Sequence, residues 1–213
     1  MYKKRVNKIL ALLKKEYPDF TTALLHKNPV QLLVATILSA QCTDARVNIV
    51  TGALFKKYKT VSDYANADIR RFEREIRSTG FYHNKAKNII AAAEMIMDRF
   101  GGKVPDSMEK LIQLPGVARK TANIVLSHGY GKIEGIAVDT HVRRVSFRLG
   151  LTKNEDPVKI EADLMKITPK QDWPRLSDLL IAHGRAICAA AKPRCLECVL
   201  DKLCPSKKIF YSD

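Results

Sequence analysis

The sequence predicts an all-α protein, and three observations predict it. Apolar residues recur at i, i+3, i+4 and i+7 steps through most of the chain. Sustained period-2 alternation is missing. Glycines and prolines cut the chain into pieces of about 10 to 15 residues, a length that suits short globular helices. From the N-terminus, Val6, Ile9, Leu10 and Leu13 form the first apolar stripe. Asn28 to Thr43 is the longest nearly uncharged run. It contains Gln31, Thr36, Ser39 and Gln41 and falls short of the roughly 20 apolar residues a spanning helix needs, so no membrane span is expected. Ile89, Ile90, Ala93 and Ile96 form a further stripe. In Val104-Pro105-Asp106-Ser107-Met108-Glu109, Asp106 is placed to cap the first amides of a helix and Glu109 to reach back, a capping-box pattern. That helix is expected to run through Leu111 to about Gln113. Pro115 and Gly116 stop it, and Ala118 to Ser127 predicts the next helix, with Ala122, Val125 and Leu126 on one face. Asp139 is placed as the N-cap of a helix through Val142, Val145 and Leu149. Ile160, Leu164 and Ile167 form the last stripe, and no repeat or low-complexity linker divides the chain.

Composition limits the function classes. A content of 46% apolar residues in 213 supports a buried core and excludes disorder. Lys and Arg outnumber Asp and Glu by 37 to 22, a formal net charge of +15. Such a surplus favours a polyanionic partner, because phosphate neutralisation releases condensed counterions. A merely soluble basic protein is the alternative, since net charge does not say where the charge sits. The start MYKKRVNKIL enters an amphipathic pattern directly, without an apolar stretch and cleavage site. A cytoplasmic location, nucleoid-associated in a prokaryote, is therefore expected, and there thiols stay reduced.

Three constellations carry chemistry. The first is the turn Leu114-Pro115-Gly116-Val117-Ala118 between two helices, followed at once by Arg119 and Lys120. Amides at the start of the second helix point outward and glycine admits a phosphate close to the backbone, which makes an anion site. The alternative is an ordinary αα-hairpin with solvated basic residues. The second is Val138-Asp139-Thr140-His141, where capping and catalysis need not compete. The third is Cys188-x6-Cys195-x2-Cys198-x5-Cys204, four thiols within 17 residues. In a reducing compartment this reads as a metal site, with zinc and an iron–sulfur cluster both open on chemistry alone. Lys192 and Arg194 lie between the first two ligands, placed to meet phosphates. Cys42 stands in an apolar helix-like run and reads as a buried structural cysteine.

LPGVARKTAN resembles the helix-hairpin-helix of the DNA glycosylase superfamily, in which a lysine at the position of Lys120 marks members that also cut the backbone. The match departs at Ala118, where a second glycine is usual. A positive φ there would cost an alanine about 1 kcal/mol or more. VDTH resembles the segment carrying a catalytic aspartate, which gives Asp139 that role and places His141 beside the DNA. The cysteine spacing resembles the endonuclease III branch, which implies a four-iron, four-sulfur cluster. Leu38-Ser39-Ala40-Gln41-Cys42-Thr43-Asp44 resembles the loop whose glutamine fills the space of an extruded nucleotide. Ser78-Thr79-Gly80-Phe81-Tyr82-His83-Asn84-Lys85-Ala86 resembles the loop that wedges beside the estranged base, with Phe81 where leucine is frequent. Gly116, Ala118, Arg119, Lys192 and Arg194 join Gln41, Phe81 and His141 as expected DNA contacts.

The chain is thereby identified as a member of the endonuclease III family. The resemblance implies two helical lobes, one from about Phe20 to Lys132 and one joining residues 1–19 to 133–213. It also implies a monomer, duplex DNA across both lobes, and Lys120 and Asp139 facing each other. The damaged nucleotide must leave the stack before chemistry. Lys120, as a neutral amine, attacks the sugar C1′, and a Schiff base leads to β-elimination. Asp139 stabilises the oxocarbenium-like sugar. Oxidised or ring-saturated pyrimidines and abasic sites are the implied substrates. Three rivals remain. Monofunctional mismatch glycosylases generally lack the lysine. Adenine-mismatch glycosylases carry a further C-terminal domain. A non-catalytic DNA-binding module would leave the Lys120 and Asp139 pairing accidental.

Overall fold

A computed structural model describes residues 2–210. Twelve α-helices are found among them: α1 (Tyr2–Glu16), α2 (Pro29–Leu38), α3 (Asp44–Lys57), α4 (Val61–Ala65), α5 (Ile69–Ile76), α6 (Tyr82–Phe100), α7 (Met108–Leu111), α8 (Arg119–Ile124), α9 (Thr140–Arg148), α10 (Pro157–Ile167), α11 (Trp173–Ala186) and α12 (Lys207–Phe210). No strand occurs among the described residues, so the all-α expectation holds. The chain divides into two compact units, Thr22–Glu134 on one side and Met1–Thr21 with Gly135–Asp213 on the other.

In the continuous unit, α2 is the central element. Asn28 caps it by accepting the Gln31 amide at 2.9 Å, and Pro29 occupies the first turn, where its missing N–H costs nothing. Every residue from Gln31 to Leu38 is buried, which explains why this run carries no charge. Helices α3, α6 and α8 pack around it. A second focus joins α4, α5 and α6, where Tyr58 stacks on Tyr64 at 5.1 Å and both rings meet Phe72 edge-on.

The discontinuous unit has its own core. The α1 stripe Val6, Ile9, Leu10 and Leu13 is buried against α10 and α11, and each such side chain contributes about 1.5–3 kcal/mol by leaving water. Arg175 of α11 donates to the carbonyls of Tyr17 and Pro18 at 2.6 Å, which fixes the exit from α1. Asp156 caps α10 and Pro157 begins it. Helix α9 packs on α11 at Gly184, where an added Cβ would lie 3.0 Å from the His141 Cβ.

Two local expectations are corrected. Asp106 does not cap the hairpin's first helix, because its carboxylate pairs with Lys132 at 2.6 Å. Ser107 stands at the cap without a side-chain bond, and Glu134 accepts the Met108 amide at 3.3 Å instead. The helix is also one turn, closing at Leu111 rather than near Gln113. The following helix leaves α geometry at Val125 and continues as a π-helical turn to Gly129.

Candidate functional site

Within the continuous unit, the hairpin is built from α7, the turn and α8. Leu111, Leu114, Val117 and Ala122 are buried beneath it, so the apolar residues point inward and the turn faces out. Gly116 has φ +76°, and a Cβ there would stand 2.8 Å from the Asn88 Cβ of α6. Glycine is therefore required twice, by backbone conformation and by close approach. Ala118 has φ −89° and ψ 171°, extended backbone that any residue adopts. Its departure from glycine carries no strain. As the N-cap it brings no side-chain acceptor to the first amides of α8, and Arg119 and Lys120 follow on that turn, both exposed.

Gln41 and Phe81 are exposed in two other loops of this unit, Phe81 at 63%. Among the described residues they are the two non-glycine positions with positive φ, at 52° and 48°. Left-handed backbone costs an L-residue about 1–2 kcal/mol, so neither position is a relaxed surface turn. Both side chains are exposed rather than packed into the core. Cys42 stands in the turn after α2, half-buried against the core, and not within a helix as expected.

The discontinuous unit holds the second constellation. Asp139 Oδ1 accepts the Val142 amide at 2.8 Å, so the expected N-cap forms and fixes the carboxylate's orientation. The segment leading to it is held from both neighbours. Ser177 donates to the Ala137 carbonyl at 2.7 Å, and Glu161 accepts the Ile136 amide at 3.2 Å. His141 is half-buried, with Nδ1 3.0 Å from the Arg144 guanidinium. Its pKa is pushed down by burial and by Arg144 and Arg185, against the pull of Asp139. Its contacts are those of a residue that orders the α9 and α11 packing.

Cys188, Cys195, Cys198 and Cys204 line one small cavity, partly open to solvent, with Val145, Leu149, Ile187 and Pro193. Among the described residues, no three His, Cys, Asp or Glu side chains converge in the geometry that would hold a metal ion. Burial pushes the Cys198 thiol up to about 11 and raises those of Cys195 and Cys204. These sulfurs keep their protons unless a cation compensates. Donors to sulfur are already in place, from the Leu200 amide to Cys198 at 3.4 Å and from Arg148 to Cys188 at 3.4 Å. The donor set, the shared cavity and these N–H groups fit a thiolate-bound cluster.

Sequence reasoning missed the residues that hold this loop. Arg148 donates to the carbonyls of Ala189 and Ala190 at 2.7 Å, and Arg144 to those of Gly184 and Cys188 at 3.0 Å. His183, with its pKa lowered to about 4 by burial, places Nε2 3.4 Å from Cys198 Sγ and Nδ1 3.1 Å from the Tyr17 hydroxyl. The i, i+4 spacing of Arg144 and Arg148 was visible, but nothing local linked it to cysteines some forty residues on. Lys192 is exposed as expected. Arg194 is exposed too, yet it bonds the Ala186 carbonyl at 2.6 Å and pairs with Glu197 at 2.9 Å.

The chain is similar to known proteins over nearly its whole length. The model of the HhH-GPD superfamily of base excision DNA repair proteins matches residues 34–170. An endonuclease III of Synechocystis sp. is 57% identical over 204 residues, covering 96% of this chain and 93% of that protein. A solved non-covalent endonuclease III–DNA complex superposes with TM-score 0.93 at 45% identity, covering 97% of each chain. A trapped endonuclease III–DNA covalent intermediate with an estranged adenine gives the same values.

Proposed function

Because the chain belongs to the endonuclease III family of the HhH-GPD superfamily, we propose that Lys120 and Asp139 carry its chemistry on damaged duplex DNA. The protein is a bifunctional DNA glycosylase and abasic-site lyase of base excision repair. Its proposed substrates are oxidised or ring-saturated pyrimidines and abasic sites.

One observation carries the assignment of the nucleophile. Lys120 is an exposed amine on the first turn of α8, directly behind the Gly116 turn and a cap without a side-chain acceptor. That turn receives a phosphate on backbone amides, with Arg119 adding charge. Lys120 Nζ gives its ammonium proton to solvent and forms a bond to C1′ as the glycosidic C–N bond breaks, and the proton then shed by the alkylated nitrogen leaves with the base. Opening of the sugar ring gives an iminium. Loss of a C2′ proton then expels the 3′ phosphate, and water releases the lysine. The Asp139 carboxylate, oriented through Oδ1, stabilises positive charge on the sugar as the base departs. Gln41 and Phe81 enter the stack beside the extruded nucleotide, where an aromatic ring wedges and stacks.

Borohydride added to the protein with abasic-site DNA should trap a covalent adduct, and Lys120→Gln should abolish it. Trapping by that variant at the original rate would remove the lysine from the mechanism. Asp139→Asn keeps a capping oxygen and should slow base release by about 10²-fold or more.

Cys188, Cys195, Cys198 and Cys204 are the residues that would hold a four-iron, four-sulfur cluster. When bound it cross-links a loop with little core of its own and so presents Lys192 to the phosphate backbone. Purified protein should contain about four iron and four sulfide per chain. One zinc per chain instead would replace the cluster by a mononuclear site.

A further inference from the structure

Gln41 and Phe81 come from separate segments, and one buried side chain connects them. Lys85, on the first turn of α6, is only 4% exposed. Its ammonium donates to the Leu38 carbonyl at 2.7 Å and to the Thr79 carbonyl at 2.7 Å. Leu38 is the last residue of α2 and precedes the Gln41 turn, while Thr79 closes the 3₁₀ turn that precedes Phe81. Carbonyls at helix ends lack intrahelical partners, and here one cation satisfies two of them. Burial lowers the pKa of this lysine, so its charge is held at a cost that a methionine in the same space would avoid. The location of its two acceptors accounts for it. Three residues further along α6, Asn88 lies against Gly116, so the same helix also sets the hairpin turn.

We propose that Lys85 is a positioning residue that locks the Gln41 and Phe81 segments into one rigid wedge, so that both side chains enter the duplex as a unit. This rests on the reading of those two residues as the groups that enter the stack. The strain stored at both positive-φ positions needs a rigid support, and a cation shared between the two carbonyls supplies one. Without it each loop relaxes separately. The wedge then reaches the duplex with a misplaced half.

The test compares Lys85→Met with the unsubstituted holoenzyme on an abasic site in duplex and in single-stranded DNA, where no stack has to be opened. The duplex lyase rate should fall about tenfold or more and the single-strand rate stay within about twofold, since misplacement rather than chemistry is altered. Fluorescence of 2-aminopurine opposite the site should lose its rise on binding. In a Gln41→Ala/Phe81→Ala background, Lys85→Met should add no further duplex defect. Equal loss on both substrates, or no loss on either, overturns the proposal. If the Gln41→Ala/Phe81→Ala protein has no duplex defect of its own, the wedge reading falls and this inference with it. If that protein is defective while Lys85→Met is not, only the inference about Lys85 falls. Should Lys85→Met not fold, Lys85→Gln, which keeps a donor on a shorter stem, takes its place with the same outcomes.

Discussion

Gln41, Phe81 and Gly116 share a backbone feature and differ in its origin. At Gly116 the positive φ is inexpensive because there is no Cβ, and the space is filled by Asn88. At Gln41 and Phe81 a side chain is retained in the same region of conformational space at a cost, which points to a use for the side chain. Gly116→Ala should therefore lose on two counts. It should destabilise the protein by about 1–3 kcal/mol in thermal or urea melts and weaken binding to all DNA sequences alike. A variant as stable as the parent would show that the turn can move away from Asn88. Gln41 and Phe81 could be picked out in the sequence by resemblance alone. Their positive φ could not, because no residue type at either position signals left-handed backbone as a glycine does.

The hairpin shows how far an element can be inferred from its own residues. Its turn, its flanking apolar positions and the exposed Arg119-Lys120 pair were all legible, because each follows from local spacing. The cap was misassigned. Asp106 and Glu109 have the spacing of a capping box, but Lys132 lies within reach of Asp106, and an ion pair with a charge-assisted bond outcompetes an amide. The Asp106 carboxyl is accordingly held below its usual value of 3.8 by Lys132. A depressed carboxyl stabilises the fold above its unfolded pKa and loses that contribution as pH falls through the folded value. Asp106→Ala should therefore lower the melting temperature near neutral pH in low salt, with the deficit fading below about pH 4 and above about 0.5 M salt. A deficit that survives high salt would restore the capping role. On α9, the capping bond of Asp139 formed as the sequence indicated.

At the scale of the whole molecule, the charge of +15 acquires partial addresses. Arg119 and Lys120 sit on the first turn of α8 and Lys192 on the cysteine loop, whereas Arg194 is engaged with Ala186 and Glu197. Lys192→Gln should weaken binding to every duplex alike and reduce the slope of log K against log salt by about 1. Arg194→Gln should act mainly on the loop, lowering thermal stability more than it changes that slope. An unchanged slope for Lys192→Gln would remove it from the phosphate contacts. The sequence by itself determined the all-α class, the hairpin, the cap at Asp139 and the four clustered thiols. Each of these depends on residues within a few turns of one another, where periodicity and spacing are sufficient physics. Only the tertiary structure decided that Asp106 serves Lys132, that Arg144 and Arg148 hold the cysteine loop, and that Lys85 joins the Gln41 and Phe81 segments. In these cases a buried or charged group chose among acceptors brought near it by packing, and sequence distance carries no information about that choice.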